Sequence, residues 1–297
     1  MEVNPDGTVS EDGDYCIPGV KGSGSEIKVA FVDPAGSMTG ELFPTGRRQE
    51  SITVQERNGT RFTVKATLID AANPFVLVDA STLPSYLKTC KKDSTGYLEH
   101  MESIRRAGAV LMGLASSTEA AARVRGTPKL ALLSPAPLQA VKTHDDSLAI
   151  QVLAFSMGKP HPSLQLTGAA CLASAVCIEG TIAHDMSSTS RAKPHKAGNL
   201  ATEVALNFAV SHRETSPQSD TSSPTSPSSE SSEALSTSTP SSELVHSEPR
   251  KVTIFHSSGA IEVGVVAACA EEWAVVERCS VSRTARRLFD GVVYYYQ

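Results

Sequence analysis

Between Gly168 and Ile178 the sequence reads GAACLASAVCI, without a charge and with Ser174 as its one hydroxyl. A helix that is apolar on every side is a buried helix. Spanning roughly a dozen residues, it is too short for a bilayer, which takes about 20. Thr167 is placed to cap its start through the hydroxyl, and Gly180 to stop it. The pattern therefore predicts a central helix enclosed by the rest of the chain. Elsewhere shorter periods prevail. Residues 27–32 alternate as a half-buried strand, and 52–54 and 61–69 bracket Asn58-Gly59, a dipeptide that favours tight hairpins. Residues 75–78 form another apolar run. Leu98, Met101, Ile104, Leu111 and Met112 approximate a helical stripe over 97–113, with Glu102, Arg105 and Arg106 on the other side. Ser116 and Glu119 have capping-box spacing for a second helix through Val124, stopped by Gly126 and Pro128. Residues 129–133 and 148–155 read as buried strands. The runs 252–255 and 260–266 read as a hairpin turning through Ser257-Ser258-Gly259. Residues 273–276 and 291–296 supply two last strands. Ahead of residue 27, Asp-Gly, Pro-Gly and Gly-Ser-Gly turns separate short strands. Strands and helices in this order, without strict β-α-β alternation, predict an α+β fold rather than a doubly wound parallel sheet.

Composition breaks this pattern in one place. Residues 215–247 are mostly Ser, Thr and Pro, with Asp220, Glu230, Glu233 and Glu243 and no Lys or Arg. Too few apolar side chains are present to offset the entropy of ordering, so the tract is expected to be disordered. It reads as a spacer or as a tract for phosphorylation. The strands after it need a sheet partner from earlier in the chain, so it interrupts a domain rather than separating two. The whole sequence has 297 residues, 40% hydrophobic, with a net charge of −5 and scattered Lys and Arg. That balance points to neither nucleic acid nor an anionic membrane as partner. The six cysteines show no CxxC or CxH spacing and sit mainly among apolar neighbours. They read as reduced, buried thiols, with no zinc site. The polar, acidic N-terminus has no leader-like run, so the expected address is the cytoplasm.

Candidate chemistry gathers at few positions. A helix opening at Thr167 would expose free N–H groups and a partial positive charge, suited to a carboxylate or phosphate. The plain alternative is a core helix whose end faces solvent. Asn73, before Pro74 in the Asp70–Pro74 break, is either a fixed amide or an ordinary turn residue. His161, between Pro160 and Pro162, is a proton carrier with an ordinary pKa near 6.5 or a surface histidine. Arg283, Arg286 and Arg287 either neutralise a carboxylate or form a solvated turn.

Four stretches together, IKVAFVDPAGSMTGELFPTG, DAANP, SMGKPHPSLQLTGAACLASA and SRTARRLFDGVVY, resemble the PrpF family of aconitate and methylitaconate isomerases, whose fold is that of diaminopimelate epimerase. The resemblance implies a curved, mostly antiparallel sheet or open barrel wrapped around the central helix, with further helices on the surface. In that fold two such halves face each other, and their helix N-termini hold substrate carboxylates. It implies His161 as catalytic and Asn73, Thr167, Gly168 and Ala169 as substrate-binding, with a small carboxylate as ligand and no cofactor. Thr167 falls where epimerases of this fold carry a cysteine, so racemisation by a cysteine pair is not expected. Ser257 replaces a family proline. Against the family, residues 1–26 look like a strand remnant of a first half, with 27–214 and 248–297 as the C-terminal domain around the 215–247 insert. The lysine and cysteine implicated in proton transfer belong to that first half. The activity implied is a cofactor-independent proton shift in unsaturated di- or tricarboxylates. The alternative is a catalytically incomplete piece serving as a binding module. An apolar face left open by the missing half would drive homo-oligomers.

Overall fold

The computed structural model describes residues 3–17, 20–55, 59–137, 148–187, 249–269, 273–284, 291–292 and 294–295. The 215–247 tract, Asn58, Arg286 and Arg287 lie outside the described residues. Short strands β1 (Tyr15–Cys16) and β2 (Ser23–Gly24) pair with each other. One 10-stranded sheet carries the rest. Its strands are β3 (Ile27–Val32), β4 (Glu50–Gln55), β5 (Arg61–Asp70), β6 (Pro74–Asp79), β7 (Lys129–Pro135) and β8 (Leu148–Ser156). Beyond these come β9 (Lys159–Pro160), β10 (Arg250–His256), β11 (Gly259–Cys269) and β12 (Ala274–Arg283). The order across the sheet is β3-β12-β11-β10-β8-β7-β6-β5-β4, with β9 paired to β8. All pairings are antiparallel except β6 with β7 and β8 with β10. The sheet does not close, although a single bridge from Ala35 to Ala71 ties the chain after β3 to the end of β5.

Parallel neighbours require long crossovers, and here the two crossovers build the layers. Between β6 and β7 lie α1 (Ser85–Thr89), α2 (Thr95–Leu111) and α3 (Thr118–Arg123). Between β8 and β10 lie α4 (Leu166–Cys177) and α5 (Ile182–Met186). Both crossovers step the same way along the sheet, but β6 and β8 run in opposite directions. Crossovers of one hand then fall on opposite faces. The side chains record it. Along β6, Phe75 and Leu77 join the core under α4, while Val76 and Val78 join the core under α2. Along β7, Ala131 and Leu133 face α4, and Leu130 and Leu132 face α2. Covered on both sides, these strands read as unbroken apolar runs.

Helix α4 is the buried rod that its composition demands, with every residue from Gly168 to Cys177 buried. Three sequence expectations shift. The α4 cap is Gln165 rather than Thr167, because Leu166 packs against the core and starts the helix early. For α3 the cap is Ser117 rather than Ser116, its hydroxyl accepting from Ala120 N at 3.2 Å. Gly291, Val292, Tyr294 and Tyr295 carry no strand, and both tyrosines stand in solvent. The sheet instead takes its last strand from β12, which runs on to Arg283.

Candidate active site

The tip of α4 is bare. Gln165 makes no side-chain capping bond, and Ala169 N–H, donating to Gln165 O at 2.8 Å, is the first amide bonded back toward the turn. The amides of Leu166, Thr167 and Gly168 have no partner among the described residues. They carry the unsatisfied donors and partial positive charge of the helix end. Of the expected anion holders, Thr167 and Gly168 stand in this cradle. Ala169 does not, because its N–H is spent and it is fully buried. Gly168 is required by space: a Cβ there would lie 2.8 Å from Phe75 Cζ and 3.1 Å from Leu164 Cδ1. Gln165 folds over the same turn, its Oε1 3.4 Å from that Cβ position. Both of its amide atoms are buried without a hydrogen-bond partner.

The tip meets the start of β6 through Phe75, and the β5–β6 turn lies just before that residue in the chain. Ala72 sits at φ +60, a left-handed conformation that costs a non-glycine residue about 1–2 kcal/mol. It presents Asn73, half-buried, directly before Pro74 and the Phe75 that meets Gly168. Asp70, fully buried, fixes the loop beside this turn. Its carboxylate accepts from Ser37 Oγ at 2.5 Å, Met38 N at 2.7 Å, Thr39 N at 2.8 Å and Thr39 Oγ1 at 2.9 Å.

A second group forms where β9, β10 and β12 end. His161 is half-buried, its N–H donating to Ala154 O. The shorter of its two Nδ1 contacts is 2.6 Å to Ser163 O. A carbonyl only accepts, so this places the ring proton on Nδ1 and leaves Nε2 as the basic nitrogen. His256 is the converse: its Nδ1 accepts from Ser258 N at 3.2 Å, leaving Nε2 to carry the proton. Ser258 Oγ also bonds Pro162 O, joining the β10–β11 turn to the segment entering α4. Burial, with Arg283 and His161 adding positive charge, holds His256 below the usual histidine range. Arg283 is half-buried at the end of β12, with Ser282 O at 3.2 Å as its described side-chain bond. Burial lowers its pKa while Tyr15 opposes the shift. It is thus a strand-end cation rather than part of a solvated turn. His256 and Gln165 went unmarked in the sequence; only the turn around His256 gave any signal.

The thiols stand apart. Cys171 within α4 and Cys279 packed against it are buried, and burial pushes both up, Cys171 far above the ordinary thiol range. Among the described cysteines Cys171, Cys177 and Cys279 are buried, as expected, Cys90 is half-buried and Cys16 is exposed. Among the described residues no group of three or more His, Cys, Asp or Glu is placed to hold a metal ion. None of their helices is long and apolar enough to cross a membrane.

A sequence profile of the family described as PrpF protein matches residues 1–216 and 226–296. The chain belongs to the PrpF family. It is 33% identical over 207 residues to the putative isomerase YraM of Bacillus subtilis, covering 67% of this chain and 55% of that protein. A 2-methyl-aconitate isomerase of Shewanella oneidensis is 33% identical over 189 residues, covering 60% of this chain and 46% of that one. A 4-oxalomesaconate tautomerase of Pseudomonas putida is 30% identical over 215 residues, covering 69% and 53%. The chain thus spans about half the length of the relatives it matches. Among solved structures, a methylitaconate-delta-isomerase superposes with a TM-score of 0.60 at 21% identity, over 98% of this chain and 60% of that one. That likeness establishes the PrpF-type fold.

Proposed function

We propose that this PrpF chain contributes one wall of an isomerase that shifts a proton in unsaturated di- or tricarboxylates. The observation that carries the reading is the α4 tip, with three unbonded amides and no capping side chain. A substrate carboxylate on those amides would spread the negative charge that grows when a neighbouring C–H is broken. His161 Nε2 is the candidate to take that proton and, as the imidazolium, to return it at the far carbon of the allylic system, while neutral His256 offers its Nε2–H as a hydrogen-bond donor. One C–H bond breaks, another forms and the double bond moves between them, without net change in charge or oxidation state. The names of the relatives support this substrate class. The test is incubation with cis-aconitate and with 2-methylaconitate in D2O, followed by proton NMR. Deuterium uptake and a shifted double bond are expected; neither appearing with either acid refutes the reading. A second reading, carboxylate binding without turnover, is favoured by the thiols, since the described thiols nearest the helix are sealed in the core. Binding without exchange would select it. We also propose that the chain self-associates; a monomer by light scattering across micromolar concentrations refutes that.

A further inference from the structure

Most buried polar side chains find partners, so the few that do not call for explanation. At the α4 tip the exception is Gln165. Its Oε1 and Nε2 are both sealed from solvent without a partner, above the turn whose three amides are also unpaired. A carboxamide presents a donor and an acceptor side by side. A bare carboxylate satisfies the donor alone. A carboxylate with an adjacent hydroxyl satisfies both, the carboxylate accepting from Nε2 and the hydroxyl donating to Oε1.

We propose that Gln165 is the specificity-determining residue of the helix-tip site, selecting carboxylates that bear a neighbouring hydroxyl, as 2-hydroxy acids and the enols of 2-oxo acids do. This rests on the proposed reading of the tip as a carboxylate site and narrows its substrate class. Neither amide atom reaches solvent in the described conformation. Engagement therefore requires the Gln165 side chain to rotate about its own torsions toward the free amides of Leu166, Thr167 and Gly168. The buried, unpartnered state is the less favourable end of that rotation, because each unmade hydrogen bond carries a desolvation penalty.

Citrate and tricarballylate differ by one hydroxyl and serve as probes that do not turn over. Titration calorimetry with the full chain is expected to show citrate bound about tenfold more tightly, the worth of one net hydrogen bond. The side-chain amide signals of Gln165, assigned by their loss in Gln165→Met, should move with citrate and much less with tricarballylate. In Gln165→Met the citrate preference should fall to about one, because tricarballylate loses only the Nε2 bond whereas citrate loses that bond and the hydroxyl contact, and Tm should rise as the unpartnered atoms are removed. Equal affinities in the wild type, or a preference that survives Gln165→Met, overturns the assignment. If neither acid binds the wild type, the helix-tip reading itself fails, an outcome distinct from equal binding.

Discussion

Gly168→Ala tests the α4 tip most directly. The added Cβ would sit 2.8 Å from Phe75 Cζ and 3.1 Å from Leu164 Cδ1, and both side chains are buried. Phe75 is wedged between the sheet and the helix, so overpacking of about 1–3 kcal/mol is expected. Replacing a helical glycine by alanine returns about 0.5–1 kcal/mol. Gly96, in the first turn of α2 with nothing within 4 Å of its Cβ position, isolates that second contribution. Gly96→Ala should therefore match or exceed the wild type in thermal melts. Gly168→Ala should fall below it. The difference between the two variants is the overpacking alone. At about 2–4 °C per kcal/mol for a chain of this size, it centres near 6 °C. The same displacement of the first turn should weaken tricarballylate binding. Melting points of the two variants within about 1 °C of each other would refute the packing argument.

Three further outcomes follow from the buried polar groups. Asp70→Ala strips four hydrogen bonds from the loop at Ser37–Thr39, with an expected cost of about 2–4 kcal/mol; hydrogen exchange at the Met38 and Thr39 amides should accelerate, and unchanged protection would refute the anchoring role. Arg105 is buried and donates to Glu102 through Nε and Nη2, and to the carbonyls of Ala121, Val124 and Thr127. Arg105→Met should lower stability by about 3–5 kcal/mol, read from urea midpoints, because Glu102 is left with Arg106 and three carbonyls lose their donor. His256 is held below the histidine range by burial first and by Arg283 and His161 next. The unfolded chain then binds this proton more readily, so stability is full above about pH 6.5 and declines as pH falls toward the folded pKa. His256→Gln should flatten that part of the Tm–pH curve, and an NMR titration of the ring placing its pKa above 6.5 would reverse the sign.

Local physics made much of the fold readable in advance. Strand β3 spans the residues that alternate, Ile27–Val32, and β6 follows the Asn73–Pro74 break because proline ends one strand direction and starts another. The composition of α4 sufficed to bury it. The ends were less legible. Thr167 is the better cap by intrinsic preference, but packing of Leu166 overrides it. Val292, Tyr294 and Tyr295 have strand propensity without a partner, and propensity alone does not make a strand. The site was half visible. Asn73, His161 and Thr167 lie in recognisable breaks, whereas His256 and Arg283 meet only because β10 and β12 run the same way and end together. Gln165 matters for what it fails to contact, and no pattern of residue types encodes that.

The register of β3 against β12 has a consequence for biosynthesis. Ile27 pairs with Arg283 and Val32 with Arg278, so an early segment waits for a very late one. At ribosomal speeds of about 5–20 residues per second, the intervening stretch of about 250 residues takes ~12–50 s to emerge. Throughout that interval β3 offers a bare backbone ribbon to any neighbouring nascent chain. Yield in a cell should accordingly respond to translation tempo and to holding chaperones more than to the melting temperature of the finished molecule.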